Sequence, residues 1–296
     1  MRRATCLLGT AADAGPRRAQ ARATGRRSAA MDHKGIPTDE ERAEALRHRA
    51  LVRFDEDTLR QRPLGIRVII EFLGTFLLVT VAAGAGVINH YAGGNPISRA
   101  AAVIAPGALV MALIYAWGPL SGLHINPVVT LAFAGRRVFR LMWVVPYWIA
   151  QFAGGIGAAL FLQAMFGHVT EGGTYPIPRP GGEWKSLIME ILLSAMLVSV
   201  ILHTATGNRS IGHNAAIAVG ATIALLGLFA SPVSGASMNP VRTLAPDIVG
   251  ANLTGWWVYV GGDVIGAAIA VMIMGLVRGM PHKQERAAAE GTVLPE

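Results

Sequence analysis

The chain has 296 residues, of which 52% are hydrophobic and only 15% charged; average soluble domains carry about 25% charged residues, so an ordinary soluble fold is excluded. The net charge of +8 suggests a nucleic-acid partner, yet residues 1–30 hold seven Arg and one Asp with no interleaved aromatics, which marks a solvated basic arm and excludes a nucleic-acid surface. The single cysteine, Cys6, excludes an intrachain disulfide, and the eight His show no metal-ligand spacing.

Taken in chain order, residues 1–63 read as a disordered tail, basic at first and mixed in charge over 32–63. Its stretch "ATCLLGTAA" is too weakly apolar for a secretory signal, and Met31 is an alternative start. The basic arm is suited to touching anionic lipid headgroups. Six apolar runs follow, at about 66–88, 99–120, 141–166, 186–206, 214–231 and 256–278. Runs of roughly 20 apolar residues cross a bilayer as helices. Residues 64–280 therefore form a membrane body, and residues 281–296 a polar C-terminal tail.

The body repeats one order of parts. "EFLGTF" (Glu71–Phe76) opens a first half at about 64–166, and "EILLSA" (Glu190–Ala195) opens a second at about 184–280. Each half has a helix with an early Glu, a second helix, a Ser-Gly loop, Asn-Pro, and one more helix. Three spans per half place the halves in opposite orientations, and inverted repeats of this kind meet at a midplane site. Basic residues in "GRRVFR" (Gly135–Arg140), "GNRS" (Gly207–Ser210) and both tails point both termini to the cytoplasm.

The stretch "SGLHINPVVT" (Ser121–Thr130) returns as "SGASMNPVRT" (Ser234–Thr243). Asn is a favoured helix N-cap and Pro a favoured first helical residue, so short helices are predicted at about 127–134 and 240–248. Neither can span. Irregular backbone at membrane depth is tolerated only inside protein or beside water, so two half-helices entering from opposite faces are expected to meet tip to tip. Asn126 and Asn239 would accept from backbone N–H groups and keep their NH2 donors for a lumen. Loops Gly122–Ile125 and Gly235–Met238 would expose carbonyl acceptors. Two half-helix N-termini add about half a positive charge each, repelling cations and protons while neutral hydrogen-bonding molecules pass. Glu71 and Glu190 read as braces accepting loop N–H groups; a proton relay is the alternative, without an evident chain of partners. Gln151, Gly154, Gly261, Gly262 and Gly266 read as close helix packing. No nucleophile–base pair, phosphate loop or metal cluster appears, so no enzyme activity and no cofactor are expected.

With these motifs, and with "AQFAGG" (Ala150–Gly155) in the third span, residues 66–278 resemble the major intrinsic protein family of aquaporins and glycerol facilitators. The resemblance implies an all-α membrane protein with six transmembrane helices and two re-entrant half-helices. It implies a homotetramer with one passive pore per subunit; the plasma (inner) membrane is the expected location. It places the pore centre at Asn126, Pro127, Val128, Asn239, Pro240 and Val241. Pore-lining loop backbone falls at Gly122, Leu123, His124, Gly235, Ser237 and Met238, and an outer selectivity filter at Pro106, Gly227, Ala236 and Arg242. It sets His124 beside the cytoplasmic mouth, as a pH gate or a hydrogen-bonded structural His.

Departures from the family pattern are Val128 and Val241 in place of Ala, Pro119 in place of a common His, and Asp263 near a common Pro. The stiffer valines are expected to shift tip packing or the central width. Asp263 costs about 2.5–3.5 kcal/mol on insertion scales and has no evident partner in the sequence. Arg242 supplies a fork of donors and a charge that opposes cations, with snorkelling or a salt bridge as its alternative role; Pro106 and Gly227 have helix packing as theirs. Small residues at Gly227 and Ala236 predict a wide, weakly polar filter. It suits water, glycerol-sized polyols and undissociated metalloid hydroxides. The alternatives are a water-selective channel and a poorly conducting scaffold of the same fold; a secondary transporter lacks a coupling-ion site.

Overall fold

The computed structural model describes residues 62–176, 178–205 and 214–291, together with Glu44. The chain divides into two compact units, residues 1–54 and 55–296, and all described residues except Glu44 belong to the second. The basic arm, Cys6, Met31 and all of "GNRS" lie outside the described residues.

Among the described residues, six helices are long and apolar enough to cross a membrane, with mean hydropathy from 1.5 to 2.1. They are α1 (Leu64–Tyr91), α2 (Arg99–Ser121), α4 (Leu141–Phe166), α5 (Gly182–Thr204), α6 (Ala215–Ser234) and α8 (Trp256–Arg278). The described residues also form three short helices: α3 (Pro127–Gly135), α7 (Pro240–Val249) and α9 (Lys283–Ala289). A 3-10 turn spans Val169–Gly172, and the described residues contain no strand. Large apolar side chains such as Ile69, Ile149, Phe161, Ile188, Phe229 and Leu276 remain exposed, as on helices that are hydrophobic all round and face lipid.

The span ends differ from the hydropathy reading by a few residues in α1, α5 and α6, and α4 matches it. Helix α6 runs through Pro232 to Ser234 instead of stopping at 231. Pro232 cannot donate to the carbonyl one turn back, and the Arg99 guanidinium takes over that Leu228 carbonyl at 3.2 Å.

The most extensive helix pairs are α1 with α4, α5 with α8, and α2 with α6. The first two pairs are repeat equivalents, and their crossings match. Gly154 of α4 lies against the Phe72 carbonyl, and Gly266 of α8 against the Ile191 carbonyl; neither site has room for a Cβ. Gly107 and Gly220 do the same for α2 and α6. Small residues let membrane helices approach closely. Gly261 is a correction to the packing expectation: nothing lies within 4 Å of a Cβ built there.

Candidate functional site

Helices α2 and α6 each end in a left-handed glycine, Gly122 at φ 85° and Gly235 at φ 82°. A Cβ would disfavour that turn. Beyond it the two loops are conformational copies. Leu123 (φ 43°) and Ile125 (φ 44°) match Ala236 (φ 53°) and Met238 (φ 54°), all left-handed without being glycine. Such residues cost about 1–3 kcal/mol each and persist only where surroundings over-determine them.

The surroundings here are buried carboxyl groups. Glu71 accepts from Ser121 Oγ at 2.8 Å, His124 N at 2.9 Å, Ile125 N at 2.7 Å and Gln151 Nε2 at 2.9 Å. Glu190 accepts from Ser234 Oγ at 2.5 Å, Ser237 N at 3.0 Å and Met238 N at 2.9 Å. Tyr147 donates to the Ser121 carbonyl at 2.7 Å, and Tyr259 to the Ser234 carbonyl at 2.8 Å.

Counting four residues on from each tyrosine gives Gln151 in α4 and Asp263 in α8. Asp263 is therefore the repeat counterpart of Gln151. It accepts from Ser194 Oγ at 2.8 Å on Oδ1, while its buried Oδ2, on the side of Glu190, has no hydrogen-bond donor. Two carboxyl groups can share a hydrogen bond only through a proton, whereas Gln151 donates its own N–H to Glu71. Asp263→Asn is expected to keep the Ser194 bond and donate to Glu190. That should raise the thermal midpoint in detergent by the equivalent of about 1–3 kcal/mol. A lowered midpoint would remove this account of Asp263.

At the tips, Asn126 Oδ1 accepts from Val128 N at 3.0 Å and Asn239 Oδ1 from Val241 N at 3.1 Å, which starts α3 and α7. Asn126 Nδ2 donates to the Met238 carbonyl at 2.7 Å, and Asn239 Nδ2 to the Ile125 carbonyl at 2.9 Å. The NH2 groups are thus not both free, as the sequence alone suggests. Each commits one N–H to the opposite loop, stitching the tips together and leaving one N–H for the cavity that both side chains line.

That cavity has a volume of about 900 Å³. One end is lined by Ala82, Ala102, Val103, Pro106, Gly227, Ala236 and Arg242. The loops Gly122 to Asn126 and Gly235 to Asn239 line the cavity inward from its two ends to Asn126 and Asn239, and the far end is lined by Gln284, Ala287, Ala288 and Gly291. Arg242 is fixed by Nη1 on the Gly172 carbonyl and Nη2 on the Ala82 carbonyl, each at 3.0 Å. Among the described residues, no group of three or more His, Cys, Asp or Glu is placed to hold a metal ion.

Six spans, two opposed half-helices and a shared polar tip agree with the sequence profile of the Major intrinsic protein family, which matches residues 59–274. The chain belongs to the major intrinsic protein family. Aquaporin NIP1-3 of Oryza sativa subsp. japonica is 42% identical over 214 residues, 72% of this chain and 73% of that relative. Aquaporin NIP2-2 of Zea mays is 41% identical over 215 residues, 73% of this chain and 72% of that relative. The X-ray structure of the aquaglyceroporin from Plasmodium falciparum superposes with a TM-score of 0.63 at 22% identity, covering 73% of this chain and 97% of that one, a likeness of fold. The chain is a multi-pass membrane channel for water and small solutes, and members of this family are not enzymes.

Within this major intrinsic protein the expected site residues separate into two sets. Pro106, Gly122, Leu123, His124, Asn126, Gly227, Gly235, Ala236, Ser237, Met238, Asn239 and Arg242 all line the one cavity. Pro127, Val128, Pro240 and Val241 do not, although the sequence reading put them at the pore centre. Each residue of an α-helix turns about 100° from the last, so the two positions after Asn rotate away from the lumen and the third returns. Val241 is fully buried against Gly155, whose missing Cβ makes room for it, and Val128 is buried in the apolar cluster that includes Phe133 and Tyr147. The valines are absorbed in packing.

The third position after Asn is Arg242 in one half and Val129 in the other, and both line the cavity. The sequence reading missed Val129, though its spacing from Asn126 shows it. Val103 was missed too. A Cβ on Gly227 would stand 2.8 Å from Val103 Cβ, so Gly227 both lines the cavity and sets the α2–α6 approach. His124 is buried, with Nδ1 at 3.0 Å from Thr130 Oγ1 and Nε2 at 2.9 Å from the Ala289 carbonyl. A carbonyl only accepts, so Nε2 carries the hydrogen.

Proposed function

We propose that this channel passes water and uncharged glycerol-sized polyols, together with undissociated metalloid hydroxides, and excludes ions and protons. The carrying observation is the Arg242 end of the cavity. One guanidinium, anchored on two carbonyls, faces a wall of Pro106, Gly227, Ala236 and Val103 that has no polar side chain. A hydroxyl solute can hydrogen-bond to the guanidinium while its carbon side slides along the apolar wall. A cation meets the fixed charge instead. The reading includes a homotetramer with one pore per subunit, in the plasma (inner) membrane with both termini cytoplasmic.

Stopped-flow light scattering on proteoliposomes tests it. Glycerol re-swelling well above empty liposomes is expected alongside rapid osmotic shrinkage. Fast shrinkage without glycerol entry would assign a water-selective pore, and neither process would favour a non-conducting scaffold. A narrowing variant sharpens the test. Because a side chain at Gly227 strikes Val103, the aromatic belongs on a background that vacates space: Gly227→Phe with Val103→Ala. Glycerol flux should then fall about tenfold or more, the effect of ~1.4 kcal/mol of added barrier, with a smaller loss for water. Equal loss of both would sink the width argument.

A further inference from the structure

Residues 281–291 lie beyond the family match, which ends at residue 274, yet they are packed onto the channel. Helix α9 has seven residues, KQERAAA, with no large apolar side chain. A helix this short does not hold itself by propensity, so what seats it must be tertiary and polar. Glu285 is 1% exposed and takes Arg136 Nε at 2.9 Å and Nη2 at 3.3 Å. Arg136 Nη1 also donates to the Gly279 carbonyl at 2.6 Å, tying down the end of α8. At the other end of α9, His124 Nε2 donates to the Ala289 carbonyl, and Arg67 Nη1 donates to the Glu290 carbonyl. The Glu290 carboxylate lies 3.7 Å from Arg140 and 3.6 Å from Arg286. Gly291 backs onto residues 118–122 so closely that neither Gly122 nor Gly291 has room for a Cβ.

This segment forms the wall of the channel cavity at the end away from Arg242. Its anchors come from α1 (Arg67), from the first re-entrant loop (His124) and from the turn after α3 (Arg136). The pore's own His124 thus holds the segment at the mouth. We propose that residues 281–291 are a latched cap over the His124 mouth, which restricts passage when seated and opens it when the Glu285–Arg136 pair is broken. Removing one partner of a buried pair is strongly destabilising. Here the loss falls on a segment with little apolar burial of its own, so it opens locally and leaves the bundle folded.

The experiment compares the full chain with a chain ending at Met280, with Glu285→Gln, and with the charge swap Arg136→Glu/Glu285→Arg. Water and glycerol fluxes are measured in proteoliposomes, normalised to folded protein. Truncation should raise both fluxes several-fold, Glu285→Gln should raise them part of the way, and the swap should return them toward the full-chain value. A second readout uses Ala287→Cys in a Cys6→Ser background, whose thiol should label slowly in the latched protein and rapidly with Glu285→Gln. Equal or reduced flux after truncation, with the thermal midpoint retained, would make the segment a fixed buttress and overturn the cap. Equal labelling rates would overturn the pair as the latch. If truncation does not bring flux above empty liposomes, the cap falls together with the channel reading; flux that is equal and well above them overturns the cap alone.

Discussion

Glu71→Ala is expected to abolish conduction and to destabilise the bundle more than the loss of any other side chain that lines or braces the pore. The carboxylate accepts four hydrogen bonds in a buried site. Its loss orphans two backbone N–H groups, a hydroxyl and one of the two N–H groups of the Gln151 amide, whose Nε2 keeps Thr130 Oγ1; each orphan costs about 1–3 kcal/mol when buried without a partner. The two backbone donors belong to His124 and Ile125, in the loop whose Leu123 and Ile125 are left-handed. Without the carboxylate those dihedrals lose the acceptor of both backbone N–H groups, and the loop relaxes. The Ile125 carbonyl then leaves Asn239 Nδ2, and the tip-to-tip stitch opens. Glu71→Gln should fall between the wild type and Glu71→Ala, since the amide keeps one acceptor oxygen but turns its NH2 against loop donors. Glu190→Ala should act in the same direction on the second loop. Thermal unfolding in detergent and osmotic shrinkage of proteoliposomes measure both consequences. A Glu71→Ala channel with full water flux would show that the loops hold their shape without the brace.

The half-helices are the most legible part of this chain because their cause is local. Asn-Pro carries its own cap chemistry, and the expected 127–134 and 240–248 compare with Pro127–Gly135 and Pro240–Val249. The spans are legible from apolar length and their exact ends are not; α6 runs on past 231 through Pro232, where Arg99 supplies an outside donor to the Leu228 carbonyl. The Asn126–Met238 and Asn239–Ile125 bonds are not legible, since each joins residues more than a hundred positions apart. The placement of Val128 and Val241 follows from helical rotation and was open to the same count that assigns Arg242. Asp263 lacks a partner in sequence until the two halves are aligned on Tyr147 and Tyr259; the repeat then names Glu190. The seat of α9 leaves no periodic signal, because KQERAAA has no apolar stripe and is held by charges from distant elements.

Arg242→Ala is expected to let protons and small cations leak while glycerol still passes. A unit charge about 4 Å from a permeating cation opposes it by roughly 4 kcal/mol at an effective dielectric constant of 20. That is about a thousandfold in rate. The half-helix N-termini keep some of the barrier, at about half a charge each, so a rise in leak of about 10²-fold is the expected size. A second effect runs the same way. Arg242 occupies the carbonyls of Gly172 and Ala82, and its removal bares two acceptors that attract cations. The other half cannot compensate, because the matching position is Val129. Arg242→Lys separates the two contributions. An ammonium keeps the charge but cannot span both carbonyls as a planar fork does, so its leak should rise less than with Ala. Proteoliposomes loaded with a pH dye and held under a proton gradient give the measurement. Collapse of the gradient in Arg242→Ala, with glycerol re-swelling preserved, identifies the fixed charge as the ion barrier. An intact gradient would move that barrier to the Asn126–Asn239 tips, where the half-helix dipoles would then carry it alone.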